Sequence, residues 1–268
     1  MNTIKIYVTV SDKYQWLLKP FCYLFNKFWD KNQKVIFLGY KPLEFNLPSN
    51  FDFISLGEDL GPNKWSNSLI DFFKKTKETH FILGLEDQIL TGPIKKDILD
   101  ILLKECNDPK VGRINLMRDT VNRPHSLYKQ IDEDFSIIKA NQNSDYRISL
   151  MWSIWNKEYF LKYLNPNISA WEFEGSRGEK GQNDGYHILG TKSKNGPPDN
   201  APLDVANIIW RGNSNRLNFH RSNYPHLKWD ITKGAGLKPE IVKEMKTNNI
   251  IPSDIETGII YEKIWKSY

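Results

Sequence analysis

The first half of the chain alternates short apolar runs with longer segments whose apolar residues recur at helical spacing. The short apolar runs are predicted to be strands, at residues 4–10, 35–38, 51–56, 81–85 and 111–117. The predicted helices between them cover residues 14–29, a segment that starts after Ser66, and residues 94–106. Because strands that alternate with helices build parallel sheets, the pattern predicts an α/β fold whose mostly parallel central sheet is flanked by helices.

Trp65 and Ser66 are predicted to begin the second of these helices. Ser66 has the side chain of an N-cap residue. Trp65 and Ile70 have the spacing of a hydrophobic staple on either side of that cap. The polar loop before them, at residues 57–64, carries Asp59.

The second half of the chain carries further strand and helix patterns. Residues 147–154 alternate strictly between apolar and more polar side chains, which predicts a strand with one buried face. Asn156 has the side chain of a helix cap, and the polar segment 174–185, with four glycines, is predicted to be a lid-like surface loop. The remaining predicted elements are strands near 187–191 and 205–210 and helices at 157–164, 239–247 and 254–267.

Length and charge narrow the class of protein. A chain of 268 residues is predicted to form one domain over 1–268, with a nucleotide-binding half at about 1–120, an acceptor half at about 121–268 and a decorated C-terminal third. The net charge of +5 is spread along the sequence without a basic run, so no nucleic-acid partner is expected.

Cysteine content and hydropathy predict a cytoplasmic protein. Cys22 and Cys106 fall among apolar residues and indicate buried thiols in a reducing compartment. The N-terminus lacks the pattern of a signal peptide, and no apolar run is long enough for a transmembrane segment. The 13% aromatic content suits a sugar-binding cleft, although most aromatic residues are expected in the core.

Glu86 and Asp87 form an acidic pair directly after the apolar run 81–85. Carboxylates at the carboxyl end of a buried strand could hold a divalent metal, Mn²⁺ or Mg²⁺, against a pyrophosphate. Because adjacent residues at a strand end point to opposite sides, we expect Asp87 to be the principal ligand and Glu86 to act through water or the donor ribose. The alternative is that both acids only begin a loop.

Polar residues near other predicted strand ends are candidates for binding a nucleotide. Open α/β sheets bind ligands at the carboxyl ends of their strands. We therefore expect the donor nucleotide to lie across the ends of the first and fourth strands. The candidate donor contacts are Thr9, Ser11, Asp12 and Asp59, beside Glu86 and Asp87.

A second acidic segment, Trp171-Glu172-Phe173-Glu174, opens the glycine-containing loop. An inverting sugar transfer needs a carboxylate base near the acceptor hydroxyl, and a neighbouring aromatic ring can stack on a sugar. In a helix Glu172 and Glu174 lie about 200° apart, so only one of them can face a cleft. We assign the base to Glu174 and contacts with the acceptor or the loop backbone to Glu172. The alternative is a surface turn whose aromatic rings pack inward.

The order of these segments carries a family resemblance. Trp65 with Ser66 and Leu69, then residues 82–88, then Ser153-Ile154-Trp155-Asn156-Lys157, then residues 171–174, resemble a family of bacterial and phage glycosyltransferases of surface-polysaccharide synthesis. The resemblance covers about residues 1–220 and implies a GT-A, Rossmann-like fold, a nucleotide-sugar donor and a carbohydrate acceptor. By this resemblance the acidic pair matches the donor-and-metal motif. Glu at its first position departs from the usual Asp-x-Asp form and leaves metal-independent catalysis open.

His220 is a further candidate metal ligand, because GT-A enzymes often complete their metal site with a late histidine. The sequence has no Gly-x-Gly-x-x-Gly, Walker, nucleophile-elbow or zinc-spacing motif. Two alternatives to glycosyl transfer stay open. One is a sugar nucleotidyltransferase, which normally needs a glycine-rich loop after the first strand that Val10-Ser11-Asp12-Lys13 does not provide. The other is a non-catalytic carbohydrate-binding protein with the same fold.

Overall fold

The computed structural model describes residues 4–175, 178–194, 201–207 and 238–250. Within these ranges one large sheet contains β1 (Ile6–Thr9), β2 (Val35–Gly39), β3 (Phe51–Ser55), β4 (His80–Leu85), β6 (Val111–Asn115), β7 (His125–Gln130), β8 (Phe135–Ala140), β9 (Ser153–Asn156) and β10 (His187–Ser193). Their spatial order is β3-β2-β1-β4-β9-β6-β10-β8-β7. A separate antiparallel ladder joins β5 (Gln88–Leu90) to β11 (Val205–Asn207).

Most strands of the large sheet run in one direction. β3, β2, β1 and β4 are mutually parallel, and β9 is antiparallel to both of its neighbours, β4 and β6. β10 is parallel to β6, β8 is antiparallel to β10, and β7 is antiparallel to β8. Only β9 and β8 are therefore reversed among the described strands of this sheet. The predicted α/β fold with a mostly parallel central sheet is confirmed.

Helices cover both faces of the sheet. They are α1 (Leu18–Phe28), α2 (Trp65–Lys75), α3 (Lys96–Lys104), α4 (Lys157–Tyr163), α5 (Ala170–Glu174) and α6 (Pro239–Thr247). Apolar residues of α1, α3 and α6 pack in one core with Val8, whereas those of α2, α4 and α5 pack in a second core with Tyr7. Adjacent residues of β1 thus supply opposite faces, as the period of two in a strand requires.

The start of α2 differs from the prediction. The helix begins at Trp65 with Lys64 at the N-cap position, so Ser66 is not a cap and the predicted staple is wrong. Ser66 instead exchanges two bonds with Ile168: its backbone N–H donates to the Ile168 carbonyl, and its hydroxyl accepts from the Ile168 N–H, both at 3.2 Å. A tertiary contact about 100 residues away along the chain uses the hydroxyl that the local pattern assigned to capping.

The strand predicted at 147–154 is also wrong over most of its length. Only Ser153 and the residues after it are in β9, and 147–152 form no strand. Arg147 and Ser149 are buried together with Ile148 and Leu150, so the alternation does not separate a solvent face from a core face. The polar side chains of this segment are buried as well, and Arg147 donates hydrogen bonds to backbone carbonyls of loops.

Three described strands, β5, β7 and β8, escaped the sequence pattern, and two predicted elements lie partly or wholly outside the described residues. β7 is an edge strand with mostly exposed or half-buried residues, so it lacks apolar alternation, and its partner β8 was not assigned. The helix predicted at 239–247 is confirmed by α6, whereas the helix predicted at 254–267 and residues 208–210 lie outside the described residues. In the described part of the chain, none of the helices has the length and apolar content to cross a membrane.

Candidate functional site

The carboxyl ends of β1, β2, β3 and β4 meet at one edge of the sheet. Backbone bonds fix how the chain leaves this edge: Val10 N–H donates to Leu38 O at 2.8 Å, and Glu86 N–H donates to Thr9 O at 3.3 Å. The acidic pair therefore lies beside the end of β1, as the candidate donor site requires. This edge is where α/β sheets bind ligands.

Glu86 faces the β1 edge and is almost wholly buried, with 7% of its surface exposed. Its Oε1 accepts a hydrogen bond from the backbone N–H of Ser11 at 3.0 Å, which fixes the loop after β1. Burial raises the pKa of Glu86, and the charge of Asp87 raises it further. A carboxyl in this state gains from a nearby cation, which would favour its ionised form.

Asp87 is half-buried, and within the described chain its carboxylate accepts no hydrogen bond from another residue. Burial raises its pKa. The turn that carries Asp87 is fixed where it ends, because the Gln88 carbonyl accepts a hydrogen bond from Trp152 Nε1 at 3.0 Å. Asp87 is thus an unused oxygen donor in a fixed turn.

The other candidate donor contacts have diverse surroundings. Thr9 is buried at the end of β1, and Ser11 is held by Glu86 through its backbone. Asp12 Oδ1 accepts from the backbone N–H of Lys41 at 2.9 Å, which ties the loop after β1 to the loop after β2. Asp59 is exposed, and its Oδ1 accepts from Gly61 N–H at 2.8 Å.

Tyr40 lies near two of these acids and was missed by sequence reasoning. Burial raises its pKa first, and the nearby charges of Asp59 and Asp12 add to the rise. The half-buried Tyr40 phenol at the end of β2 therefore lies in the electrostatic field of both carboxylates. Its position two residues after the end of a predicted strand was the available signal.

Glu174, in the second half of the chain, is linked to the acidic turn through Leu150. Its Oε1 accepts from the backbone N–H of Leu150 at 2.6 Å. The Leu150 carbonyl in turn accepts from Gln88 Nε2 at 3.5 Å, so one residue's backbone joins Glu174 to the strand that follows the acidic turn. Burial raises the pKa of Glu174, while the Leu150 N–H and the Arg113 charge oppose that rise.

Glu172 has a different role in the local structure. It closes a capping box with Ser169: Glu172 Oε2 accepts from Ser169 N–H and hydroxyl at 2.8 Å each, and Ser169 Oγ accepts from Glu172 N–H at 3.2 Å. These bonds lower the pKa of Glu172, which is exposed. The two glutamates thus lie on different sides of α5.

The two aromatic residues of this segment separate in the same way. Phe173 is fully buried in the second core, whereas Trp171 is 59% exposed. A large apolar ring with this exposure, three residues before Glu174, offers a free face on the surface of α5. This is the arrangement expected of a sugar-stacking platform.

The loop after α5 is anchored from Gly178 onward. Tyr146 N–H donates to Gly178 O, and Arg147 Nε donates to Gly181 O, both at 2.6 Å. Residues 176 and 177 lie outside the described residues. Residues 178–185 are therefore held against the body of the protein.

The candidate metal ligands are brought together only in part. Glu86 and Asp87 share one turn, whereas His220 lies outside the described residues. In the described ranges, no group of three or more His, Cys, Asp or Glu side chains is placed to hold a metal ion. The two carboxylates supply hard oxygen donors of the type that Mg²⁺ and Mn²⁺ prefer.

Comparison with known proteins gives distant structural likenesses. No protein-family model and no curated protein sequence matches the chain. Among solved structures, TarS from S. aureus is 11% identical with a TM-score of 0.43, and the match covers 70% of this chain and 34% of TarS. The chain thus spans about a third of that protein.

Two other solved structures match over nearly their whole length. A cytidylyltransferase from Leptospira borgpetersenii is 11% identical, with 97% of this chain and 98% of the other covered and a TM-score of 0.43. UTP-bound UGPase from Acinetobacter baumannii is 8% identical, with 91% and 98% covered and a TM-score of 0.44. Likenesses this distant carry no conclusion about activity, which must come from the site.

Proposed function

We propose that this protein is a metal-assisted glycosyltransferase that moves a sugar from a nucleotide-sugar donor to a carbohydrate acceptor. One observation carries the proposal: the backbone of Leu150 accepts from Gln88, next to the acidic turn, and donates to Glu174. The acidic turn and Glu174, which come from distant parts of the sequence, are thereby linked through the backbone of one residue. In this proposal the acidic turn acts on the departing diphosphate, and Glu174 acts on the attacking hydroxyl.

In this proposal the donor nucleotide lies across the ends of β1 and β4. Thr9, Ser11, Asp12 and Asp59 are the proposed donor contacts. Asp87 is the proposed principal metal ligand, because its carboxylate is not engaged by another described residue, whereas Glu86 already accepts from Ser11. A bound Mn²⁺ or Mg²⁺ would neutralise the charge that develops on the leaving nucleoside diphosphate.

Glu174 is the proposed general base. Its carboxylate takes the proton of the acceptor hydroxyl while that oxygen bonds to the anomeric carbon and the bond to the diphosphate breaks. A pKa raised by burial makes the carboxylate a stronger base than an exposed glutamate. Trp171 would stack on the acceptor sugar, and Glu172 would contact an acceptor hydroxyl from the rim of α5.

The test is an assay with a panel of nucleotide sugars, Mn²⁺ and oligosaccharide acceptors. Release of nucleoside diphosphate, together with a sugar-extended acceptor by mass spectrometry, is expected for one donor. Pyrophosphate formed from a nucleoside triphosphate and a sugar phosphate would identify a nucleotidyltransferase instead. Binding of sugar with no turnover of any donor would support the non-catalytic alternative.

The position of the donor is tested separately. Crystals soaked with uridine or guanosine diphosphate and Mn²⁺ are expected to show the nucleotide at the β1 and β4 edge, in contact with Ser11 and Asp12. A nucleotide bound anywhere else on the protein would contradict the proposed site.

A further inference from the structure

Arg113 is a buried cation without a direct ion-pair partner. It lies in β6 with 1% of its surface exposed, and no described carboxylate lies within ion-pair distance of its guanidinium. Its Nη2 is buried and has no hydrogen-bond partner among the described residues. Arg147, the second buried arginine in the described part of the chain, differs because its Nη2 pairs with Asp184 Oδ1 at 2.9 Å. Burying a charged group without an ion-pair partner costs desolvation free energy, so the other contacts of Arg113 are expected to serve a role.

The bonds that Arg113 does make fall at both ends of one irregular segment, residues 146–153. Its Nε donates to Ser153 Oγ at 2.8 Å, and its Nη1 donates to the carbonyls of Tyr146 and Arg147 at 3.3 Å each. Tyr146 has a positive φ of 53°, which is unfavourable for a bulky residue unless its surroundings hold it. The guanidinium therefore braces a strained segment from inside.

Leu150, at the middle of this segment, is the residue that joins the two halves of the candidate site. Its N–H donates to Glu174 Oε1 at 2.6 Å, and its carbonyl accepts from Gln88 Nε2. Any shift of the segment would move Glu174 relative to the acidic turn. The position of Glu174 thus depends on what holds residues 146 and 153.

We propose that Arg113 is a positioning residue for Glu174: it fixes the 146–153 segment and supplies a buried positive charge that acts on the Glu174 carboxylate. The role assigned to the carboxylate rests on the proposed function. The bracing and the electrostatic effect do not, because both exist in the protein without substrate.

The charges around Arg113 and Glu174 determine how the titration of Glu174 should change when Arg113 is replaced. Asp119 and Glu174 favour the charged form of Arg113, as does the phenol of Tyr159, whereas Arg123 opposes it. Burial lowers the pKa of Arg113 to about 10, so the guanidinium stays charged at neutral pH. Arg113 lowers the pKa of Glu174, and Asp119 raises it. Removing the Arg113 charge should therefore move the Glu174 titration to higher pH.

The experiment follows the ¹⁵N-labelled Leu150 amide through a pH titration of the free protein, because its hydrogen bond to Glu174 reports the ionisation of that carboxyl. In Arg113→Met the midpoint is expected to rise by about one pH unit or more. In Arg113→Lys, which keeps the charge but loses the planar fork, the midpoint should stay within about half a unit. Arg113→Gln is a second neutral variant in case the methionine variant does not fold.

Turnover gives an independent readout of positioning. Arg113→Lys is expected to lower kcat about 10-fold with an unchanged KM for the donor, because a small displacement of a reacting group is enough for such a loss. Arg147→Lys is the matched control: a loss of thermal stability with a native Glu174 midpoint is expected.

Either of two results would overturn the inference. One is a folded neutral variant whose Glu174 midpoint equals that of the native protein. The other, decisive even without a folded neutral variant, is a lysine variant with native kcat and a native Leu150 amide shift. If no sugar transfer is found with any donor, the titration still decides the role of Arg113, so its failure is distinguishable from failure of the proposed function.

Discussion

The indole ring of Trp152 lies directly against Gly84, where a β-carbon would come within 2.5 Å of Trp152 Cε2. The same indole donates through Nε1 to the carbonyl of Gln88. Trp152 therefore contacts the strand before the acidic turn and the strand after it. The shape of the turn at residues 86–87 depends on this packing.

Gly84→Ala is expected to lower the free energy of unfolding by about 1–3 kcal/mol, because the new methyl group overlaps a buried ring that has no space to move. Chemical denaturation measures the loss. Gly92→Ala is the control: its added β-carbon would meet Asp204 Oδ2 at 3.5 Å, an ordinary contact, so a change within about 0.5 kcal/mol is expected. Equal stabilities of the two variants would show that Trp152 does not restrict Gly84.

Asp87→Asn is expected to weaken the binding of Mn²⁺ that supports donor binding. Loss of the principal carboxylate ligand should raise the Mn²⁺ concentration needed for half-maximal binding of nucleoside diphosphate by about 10-fold or more. Calorimetry at several Mn²⁺ concentrations checks this. The exposed Asp100→Asn in α3 serves as the charge-matched control. An unchanged Mn²⁺ requirement in Asp87→Asn would remove Asp87 from the metal site.

Glu174→Gln is expected to lower kcat by about 10²–10⁴-fold while leaving donor affinity nearly intact, because it removes the base but keeps an oxygen that can accept from Leu150. Since the base acts when ionised and its pKa is raised, native kcat should fall as pH drops through that pKa. The acid limb should be missing in the variant. A retaining reaction needs no such base, and only a modest loss would then be measured.

The same substitution should stabilise the protein at alkaline pH. A carboxyl whose pKa is higher in the folded state favours folding when protonated, and this contribution is lost as pH rises through the folded-state pKa. Glu174→Gln should therefore raise Tm more at pH 8 than at pH 5. A Tm difference that does not vary with pH would contradict the raised pKa of Glu174.

Glu172 substitutions separate capping from acceptor binding. Glu172→Gln keeps a capping-box side chain and should raise the KM of the acceptor more than it lowers kcat. Glu172→Ala removes the bonds to Ser169 and should also lower the thermal stability of the protein. Steady-state kinetics and thermal unfolding measure the two effects. If Glu172→Gln and Glu174→Gln exchange kinetic signatures, the assigned roles are reversed.

The sequence located the acidic turn but not the structure that joins it to Glu174. The buried run before Glu86 and the helical geometry of residues 171–174 are local signals, and both predicted positions agree with the structure. Residues 147–152 were wrongly predicted as a strand, because their polar groups bond to distant backbone and to Arg113 rather than to a neighbouring strand. The available signal for Arg113 was a charge inside a predicted apolar strand.

The reversed strand β9 also determines how the chain can be divided. β9 is inserted between β4 and β6 and pairs with both, at residues Ser153–Asn156. A fragment ending near residue 120 would contain β4 and β6 but not the strand between them. Two backbone edges in the middle of the sheet would then be unpaired and open to association with other chains. In the order of synthesis, the sheet therefore cannot be completed between β4 and β6 until residues 153–156 have emerged.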